Sequence, residues 1–358
     1  MYKSTMQLKN LLQLFLLLLV TADLSAQIGG TYTYEWLGSP LSARQTALGG
    51  SLITIQDDDL SLGAINPALL NAQTHQGISI NHNFAFAGIG QGYVGYGHMV
   101  DSTLNIHIGT AYASYGDFTL ADEIGNNIGT FTGTEAALIL GASKRLNERI
   151  TVGANAKGIF GSLENYSAMG LAMDAGLLYK NPEALWEVAF LVKNVGLQLS
   201  QYGDSRAATP LDVQIGYSRR LKHLPFRLSI VMHNLHRWGI RYDDPADQGE
   251  TTLFGEPVDQ PSDFTKQLDN FFRHLTIGGE FLLGRKGNFR LRFAYNHLRR
   301  QELSVSSFRS LAGFSAGFGI KVKGFRIDYG LGYHHLAGAA NHLTISTNLN
   351  RFYKARNK

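Results

Sequence analysis

The chain has 358 residues, 44% of them hydrophobic, with a mean hydropathy of −0.09 and a formal charge of +4. It contains no cysteine, which excludes disulfides, thiol catalysis, thiolate metal sites and a lipid-anchored N-terminal Cys. The average hydropathy leaves no room for several membrane helices, and the dispersed basic residues give no nucleic-acid footprint.

The first segment carries Lys3 and Lys9 ahead of a leucine-rich run over residues 11–20. That run is shorter than the roughly 20 apolar residues that span a bilayer. With Ser25-Ala26 behind it, the segment reads as a secretory signal over 1–26, and the mature chain is expected to start at Gln27. Leu24 stands where a small residue is more usual.

Residues 27–76 alternate weakly. Gly29-Gly30 and Gly49-Gly50 punctuate them, and residues 60–70 fit a short helical turn that breaks before Asn66-Pro67, because the residue preceding proline avoids the helical region. This segment reads as an N-terminal plug. It carries three consecutive acids, Asp57, Asp58 and Asp59.

From residue 77 the pattern changes. In Phe325-Arg326-Ile327-Asp328-Tyr329-Gly330-Leu331 every second residue is large and apolar, and those between are charged or glycine. A strand puts successive side chains on opposite faces, so this segment has one apolar and one polar face. Alternation bounded by turn residues predicts strands near 77–84, 92–99, 103–115, 131–145, 149–163, 168–179, 184–194, 211–219, 226–236, 271–282, 288–298, 311–321, 325–335 and 341–353. The links 100–102, 146–148, 180–183, 220–225, 283–287 and 322–324 are short, whereas 116–130, 195–210, 237–270 and 299–310 are longer; the first and last links at that second end, 85–91 and 336–340, are short too. Short turns at one end and long loops at the other suit a transmembrane β-barrel with periplasmic turns and extracellular loops. The expected fold is therefore all-β: an outer-membrane antiparallel barrel of about fourteen strands over 77–358, closed around the plug.

With the aromatic face toward lipid, Lys157, Asp174, Glu187, Lys193, Arg227, Glu280, Arg290, Arg292, Arg326 and Asp328 point inward. The three plug aspartates are then expected to dock on lumenal arginines and to keep the pore shut. The turns are basic, with Lys144, Arg145, Arg149, Arg219, Arg220, Lys222, Arg285, Lys286, Lys321 and Lys323. The link over 241–269 is acidic, with Asp243 and Asp244, and carries Phe254 and Phe264 as apolar anchors. Loops longer than roughly 12–15 residues are often functional, so this one is a candidate partner-docking loop.

Catalytic and metal motifs are not expected. His334 and His335 are adjacent and His233 and His236 differ in parity, so on a strand neither pair shares a face. Gly88-x-Gly90-x-Gly92 lacks the helix a dinucleotide loop needs, and neither a Gly-x-Ser-x-Gly elbow nor a Walker loop occurs.

Several short runs follow one another in a distinctive order: Gln27-Ile28-Gly29-Gly30, Tyr34-Glu35-Trp36-Leu37, Pro40-Leu41-Ser42-Ala43-Arg44, Ala47-Leu48-Gly49-Gly50, Asp57-Asp58-Asp59-Leu60 and Asn66-Pro67-Ala68-Leu69. Asn181-Pro182-Glu183, Val192-Lys193-Asn194-Val195-Gly196, Pro225-Phe226-Arg227-Leu228-Ser229 and Tyr242-Asp243-Asp244-Pro245 continue the series. The ordered set resembles the PorV/PorQ group of outer-membrane barrels of the Bacteroidetes type IX secretion system, itself similar to the FadL fatty-acid channels. The resemblance implies a plugged fourteen-stranded barrel without enzymatic activity or cofactor. It implies anchoring of a PorZ-like surface protein in an attachment complex with a PorU-like sortase and a PorV-like barrel, which processes secreted cargo and joins it to lipopolysaccharide. It supplies no contact residues. One departure is the basic tail after Phe352-Tyr353, where such barrels commonly end on an aromatic residue. The alternative is a FadL-like channel for small hydrophobic molecules, against which the charged interior argues.

Overall fold

The computed structural model describes residues 32–85, 87–202, 207–241, 262–284, 287–303, 311–335 and 338–351. The expected export signal, Asp243, Asp244, Phe254 and Phe352-Tyr353 lie outside these described residues. Among them, fourteen antiparallel strands pair in chain order and close by pairing the last with the first. The strands are β1 (Gly77–Phe84), β2 (Gly90–Met99), β3 (Leu104–Ala121), β4 (Asn127–Arg145), β5 (Ile150–Leu163), β6 (Tyr166–Asn181) and β7 (Trp186–Ser200). They continue as β8 (Asp212–Arg220), β9 (Phe226–Met232), β10 (Leu275–Leu283), β11 (Phe289–Asn296), β12 (Phe314–Val322), β13 (Phe325–His335) and β14 (Gly338–Asn348).

Closure leaves no strand edge unpaired, which is what a sheet in hydrocarbon requires. The sequence alternation sets the two faces. Along β6, Met169, Leu171 and Met173 are exposed on the outside while Ala168, Ala172, Asp174 and Leu178 are buried inside. Ile80, Ile108, Leu140, Phe160, Phe190, Ile215, Phe293, Phe318 and Ile345 continue the exposed apolar band around the barrel. A band of that extent in water would be an aggregation surface; against lipid it is the stable face. Among the described residues no helix is long and apolar enough to cross a membrane.

Several boundaries differ from the expectation. The link expected over 116–130 is mostly strand: β3 runs on to Ala121, β4 begins at Asn127, and Phe118 stacks on Phe131 at 5.2 Å. Gly116, at φ 74°, takes up a register shift between Ser114 and Asp117, so turn-like composition here marks a bulge inside a long hairpin. Strand β7 likewise extends to Ser200, and β5 meets β6 through a two-residue turn at Glu164-Asn165. Strand β9 stops at Met232, so His233 and His236 lie beyond it. The contrast in link length is therefore carried by the β7–β8, β9–β10 and β11–β12 connections.

Residues 32–76 run through the bore. Tyr32 bridges to Ala208 at the long-link end, and Gln76 N–H donates to the Gly97 carbonyl (2.8 Å) at the short-turn end. Between them lie two short helices, α1 (Ala43–Ala47) and α2 (Ser61–Ile65), and a 3-10 turn over Pro67–Leu69. The Ser42 hydroxyl caps α1 by accepting from Gln45 N–H at 3.3 Å. Helix α2 ends before Asn66, which is extended at φ −133° and accepts from Ala68 N–H at 3.1 Å. Pro67 then opens the next turn, where its missing N–H costs nothing.

Two helices lie beyond the long-link end of the wall: α3 (Asp263–Arg273) before β10 and α4 (His297–Leu303) after β11. The strand expected from residue 271 begins at Leu275 instead. Ser262 caps α3 by accepting from Thr265 N–H, and Asp263 sits in its first turn, so the helix runs unbroken through Arg273.

Candidate functional site

The candidate site is the contact between plug and wall. Most of Ala43 to Ile65 is closed off from solvent: Arg44, Leu52, Ile53, Ser61 and Ala64 are fully buried, whereas Ser51, Gln56, Asp57 and Asp58 keep partial access. All ten charged residues expected to face inward do so. Lys157, Asp174, Lys193, Glu280, Arg292, Arg326 and Asp328 are buried, and Glu187, Arg227 and Arg290 retain partial access.

One side of the wall, β9 to β13, meets the plug through charge. Arg44 on α1 is the hub. Its guanidinium reaches Asp57 at 2.9 Å and Asp59 at 3.3 Å within the plug, and Glu280 on β10 at 3.0 Å. Glu280 also holds Arg292 at 2.8 Å and Arg227 at 3.4 Å, and Arg292 passes on to Asp328 at 2.6 Å. Asp57 faces Arg290 at 3.4 Å, and Asp58 pairs with Lys321 and Arg326. Six cations thus surround five carboxylates, and almost every carboxylate is shared. Sharing is what makes such burial tolerable, because an unpaired charge here would cost several kcal/mol. Burial alone would push Asp58 up, but the Arg326 and Lys321 cations outweigh it and bring its pKa down to about 2. Asp57 is likewise held well below the usual carboxylate range by Arg44, Arg290 and Arg326, against its burial.

The other side, β3 to β8, meets the plug through shape. Leu48, Leu52, Ile53, Ile55, Leu62, Ile65 and Leu69 pack on inward-facing Leu178, Ala189, Leu191 and, from neighbouring β9, Val231. Tyr34, Trp36 and Leu37 pack on Ala111, Ala137, Ile139, Ile159 and Ala172. The lumen is therefore not polar all round, as the alternation had implied. Close approach depends on glycine: a Cβ on Gly153 would stand 2.5 Å from the Pro67 carbonyl carbon, and one on Gly330 across the bore would strike the Ala43 backbone. Asn66 Nδ2 donates to the Ile53 carbonyl at 2.8 Å and ties the turn to the rest of the plug.

A polar island interrupts this apolar side. Asp174 accepts from Lys157 Nζ at 2.8 Å and from Asn194 N–H at 2.8 Å, which fixes Asn194 at φ 59° in a β6–β7 bulge. Asn155 donates to Asp174 and to the carbonyls of Gly63 and Ala64 at 3.2–3.3 Å, joining the wall to α2. Near the long-link end, Glu135 accepts from the hydroxyls of Tyr115 and Tyr202.

The structure thus brings Asp57, Asp58 and Asp59 together with Arg290, Arg292, Arg326 and Asp328, and places Asn66 and Pro67 against the opposite wall. Phe264 of the expected partner loop lies on α3, with most of its ring exposed. Sequence reasoning missed Arg44, for which a lone arginine in a small-residue helix gives no local signal, and Glu135. Among the described residues no cluster of three metal-ligating side chains occurs.

Comparison with known proteins gives a fold. No family model matches, and no curated protein matches. Among solved structures, the toluene transporter TodX of P. putida is similar over 87% of this chain and 99% of its own, at 12% identity and a TM-score of 0.50. A FadL homologue from Pseudomonas aeruginosa covers 86% of this chain and 98% of its own, at 10% identity and a TM-score of 0.47. The feature shared with TodX is the fold, a closed antiparallel β-barrel.

Proposed function

We propose that the protein resides in the outer membrane as a plugged, non-enzymatic barrel of the PorV/PorQ kind, and that it anchors a PorZ-like surface partner within a type IX attachment complex. The observation that supports this reading is the charged contact between plug and wall on the β9–β13 side. The plug is bound to the wall by shared, buried ion pairs. A cavity of about 320 Å³ beside it is lined by Asp58, Lys321, Arg326 and Arg351, and one of about 150 Å³ by Lys180, Glu187, Arg220 and Arg227. Neither suits an apolar solute, since a greasy molecule gains nothing from displacing water around charges. The loop carrying Asp243, Asp244 and Phe254 is the proposed partner contact, and lipopolysaccharide the surrounding lipid.

A second reading, a channel for small hydrophobic molecules, is favoured by the likeness to TodX, and the fold comparison weighs more toward it than toward anchoring. Two measurements separate them. Purification in detergent with mass identification of co-purifying proteins is expected to recover one surface protein in stoichiometric amount. Proteoliposomes are expected to take up no toluene-like monoaromatic above empty vesicles. Uptake without a recovered partner replaces anchoring by the channel.

A further inference from the structure

Helix α3 is mounted with its polar side toward the protein and its apolar side away from it. Asp269 binds His297 at 2.9 Å, Arg273 at 2.8 Å and Arg241 at 3.5 Å. Asn270 accepts from the N–H groups of Ile240 and Arg241 and donates to the Trp238 carbonyl at 2.7 Å. At about 100° per residue, Phe264, Leu268, Phe271 and Phe272 fall on the arc opposite these anchors. They are 74%, 45%, 37% and 41% exposed, and Trp238 beside them is 56% exposed. A helix that packs on a soluble core presents the reverse arrangement.

The apolar face of α3 is continuous with the outward face of the barrel. Phe314 on β12 meets Tyr295 on β11 at 5.0 Å, Tyr295 meets His297 at 5.9 Å, and His297 meets Phe272 at 6.0 Å. Phe272 meets Phe271 at 5.7 Å, and Phe271 meets Trp238 at 6.4 Å. One chain of rings therefore leads from the lipid-facing wall onto the helix. Aromatic girdles mark the membrane–water boundary of such barrels, and an amphipathic helix in that boundary lies flat with its apolar side among the acyl chains.

We infer that α3 is a membrane-interface helix, seated in the lipid leaflet at the long-link end of the barrel. Phe264, Leu268, Phe271, Phe272 and Trp238 contact lipid, and the polar network through Asp269 and Asn270 fixes the helix to the rim. The occupant of this face is lipid and not a protein, which assigns Phe264 to the bilayer and leaves any partner contact elsewhere on the loop.

The absence of cysteine allows a direct test on the full chain in lipid nanodiscs. Single cysteines at 263, 264, 267, 268, 271 and 272 carry a nitroxide, and collisions with oxygen are compared with those of a water-soluble nickel chelate. Phe293→Cys on β11 is the reference for lipid exposure. Oxygen contact is expected to dominate at 264, 268, 271 and 272, as at 293, and nickel contact at 263 and 267, which are exposed outside the apolar arc. Leu268→Glu, with the label at 264, is expected to reverse the preference there, since each apolar side chain contributes roughly tenfold to partitioning. Nickel-dominated contact at 264 and 268, with 293 still in lipid, overturns the inference while leaving the barrel assignment intact. So does shielding that arises only when a surface protein is added.

Discussion

The two sides of the bore hold the same plug by different physics. Strands β9 to β13 grip it with shared charges around Arg44, whereas β3 to β8 grip it with close-packed alanine, isoleucine, leucine and glycine. The charged side is specific, because each carboxylate has to meet a particular cation, and it answers to pH. The apolar contacts of the other side are sensitive to volume and indifferent to pH.

The largest expected effect comes from breaking the charged side at its hub. Arg44→Met leaves Asp57, Asp59 and Glu280 without their common cation, at a cost of about 3–5 kcal/mol. The barrel's heat-resistant gel mobility is expected to be lost at a lower temperature, with conductance appearing in planar bilayers; wild-type melting and a silent bilayer would contradict the hub. On the apolar side, Gly153→Ala drives a methyl against Pro67 and is expected to cost about 1–3 kcal/mol. The same melting assay reads it, and its effect is expected not to vary between pH 7 and pH 3.

Acid sharpens the contrast. Asp58 titrates at about 2 in the folded protein and near 3.9 in an unfolded chain. The contribution of this depressed carboxyl is thus complete above about pH 4 and is lost as the pH falls toward 2. It amounts to at most about 2 kcal/mol, reduced by the partial exposure of Asp58. Protease access to residues 55–60 is expected to rise across that window in the wild type, and a flat profile down to pH 2 would remove the charged docking of Asp58. Lys321→Gln gives the smallest effect, about 1 kcal/mol or less because Lys321 is partly exposed, and is expected to move the acid transition upward.

Much of the wall was legible in the sequence because a two-residue period is a local signal. Strands β1 and β13 fall where alternation put them, and the inward charges from Lys157 to Asp328 face the bore. The apolar side of the lumen was hidden because alanines such as Ala137 and Ala172 stand beside apolar outward residues, so alternation there has little contrast. Arg44 was hidden for another reason: its wall partner Glu280 is 236 residues away, and no window along the chain contains both. Helix α3 is ambiguous in the sequence because Phe271-Phe272 suits either state, and the cap that decides it, Ser262, lies far upstream of that pair.

The path of residues 32–76 bears on how the molecule is made. The thread enters beside Ala208 at one mouth, leaves at Gln76 beside the opposite mouth, and continues directly into β1, whose partner β14 is among the last strands to be synthesised. The β1–β14 seam therefore closes the hoop on the very strand into which the thread runs, so the interior cargo and the closing stave are one continuous piece of chain.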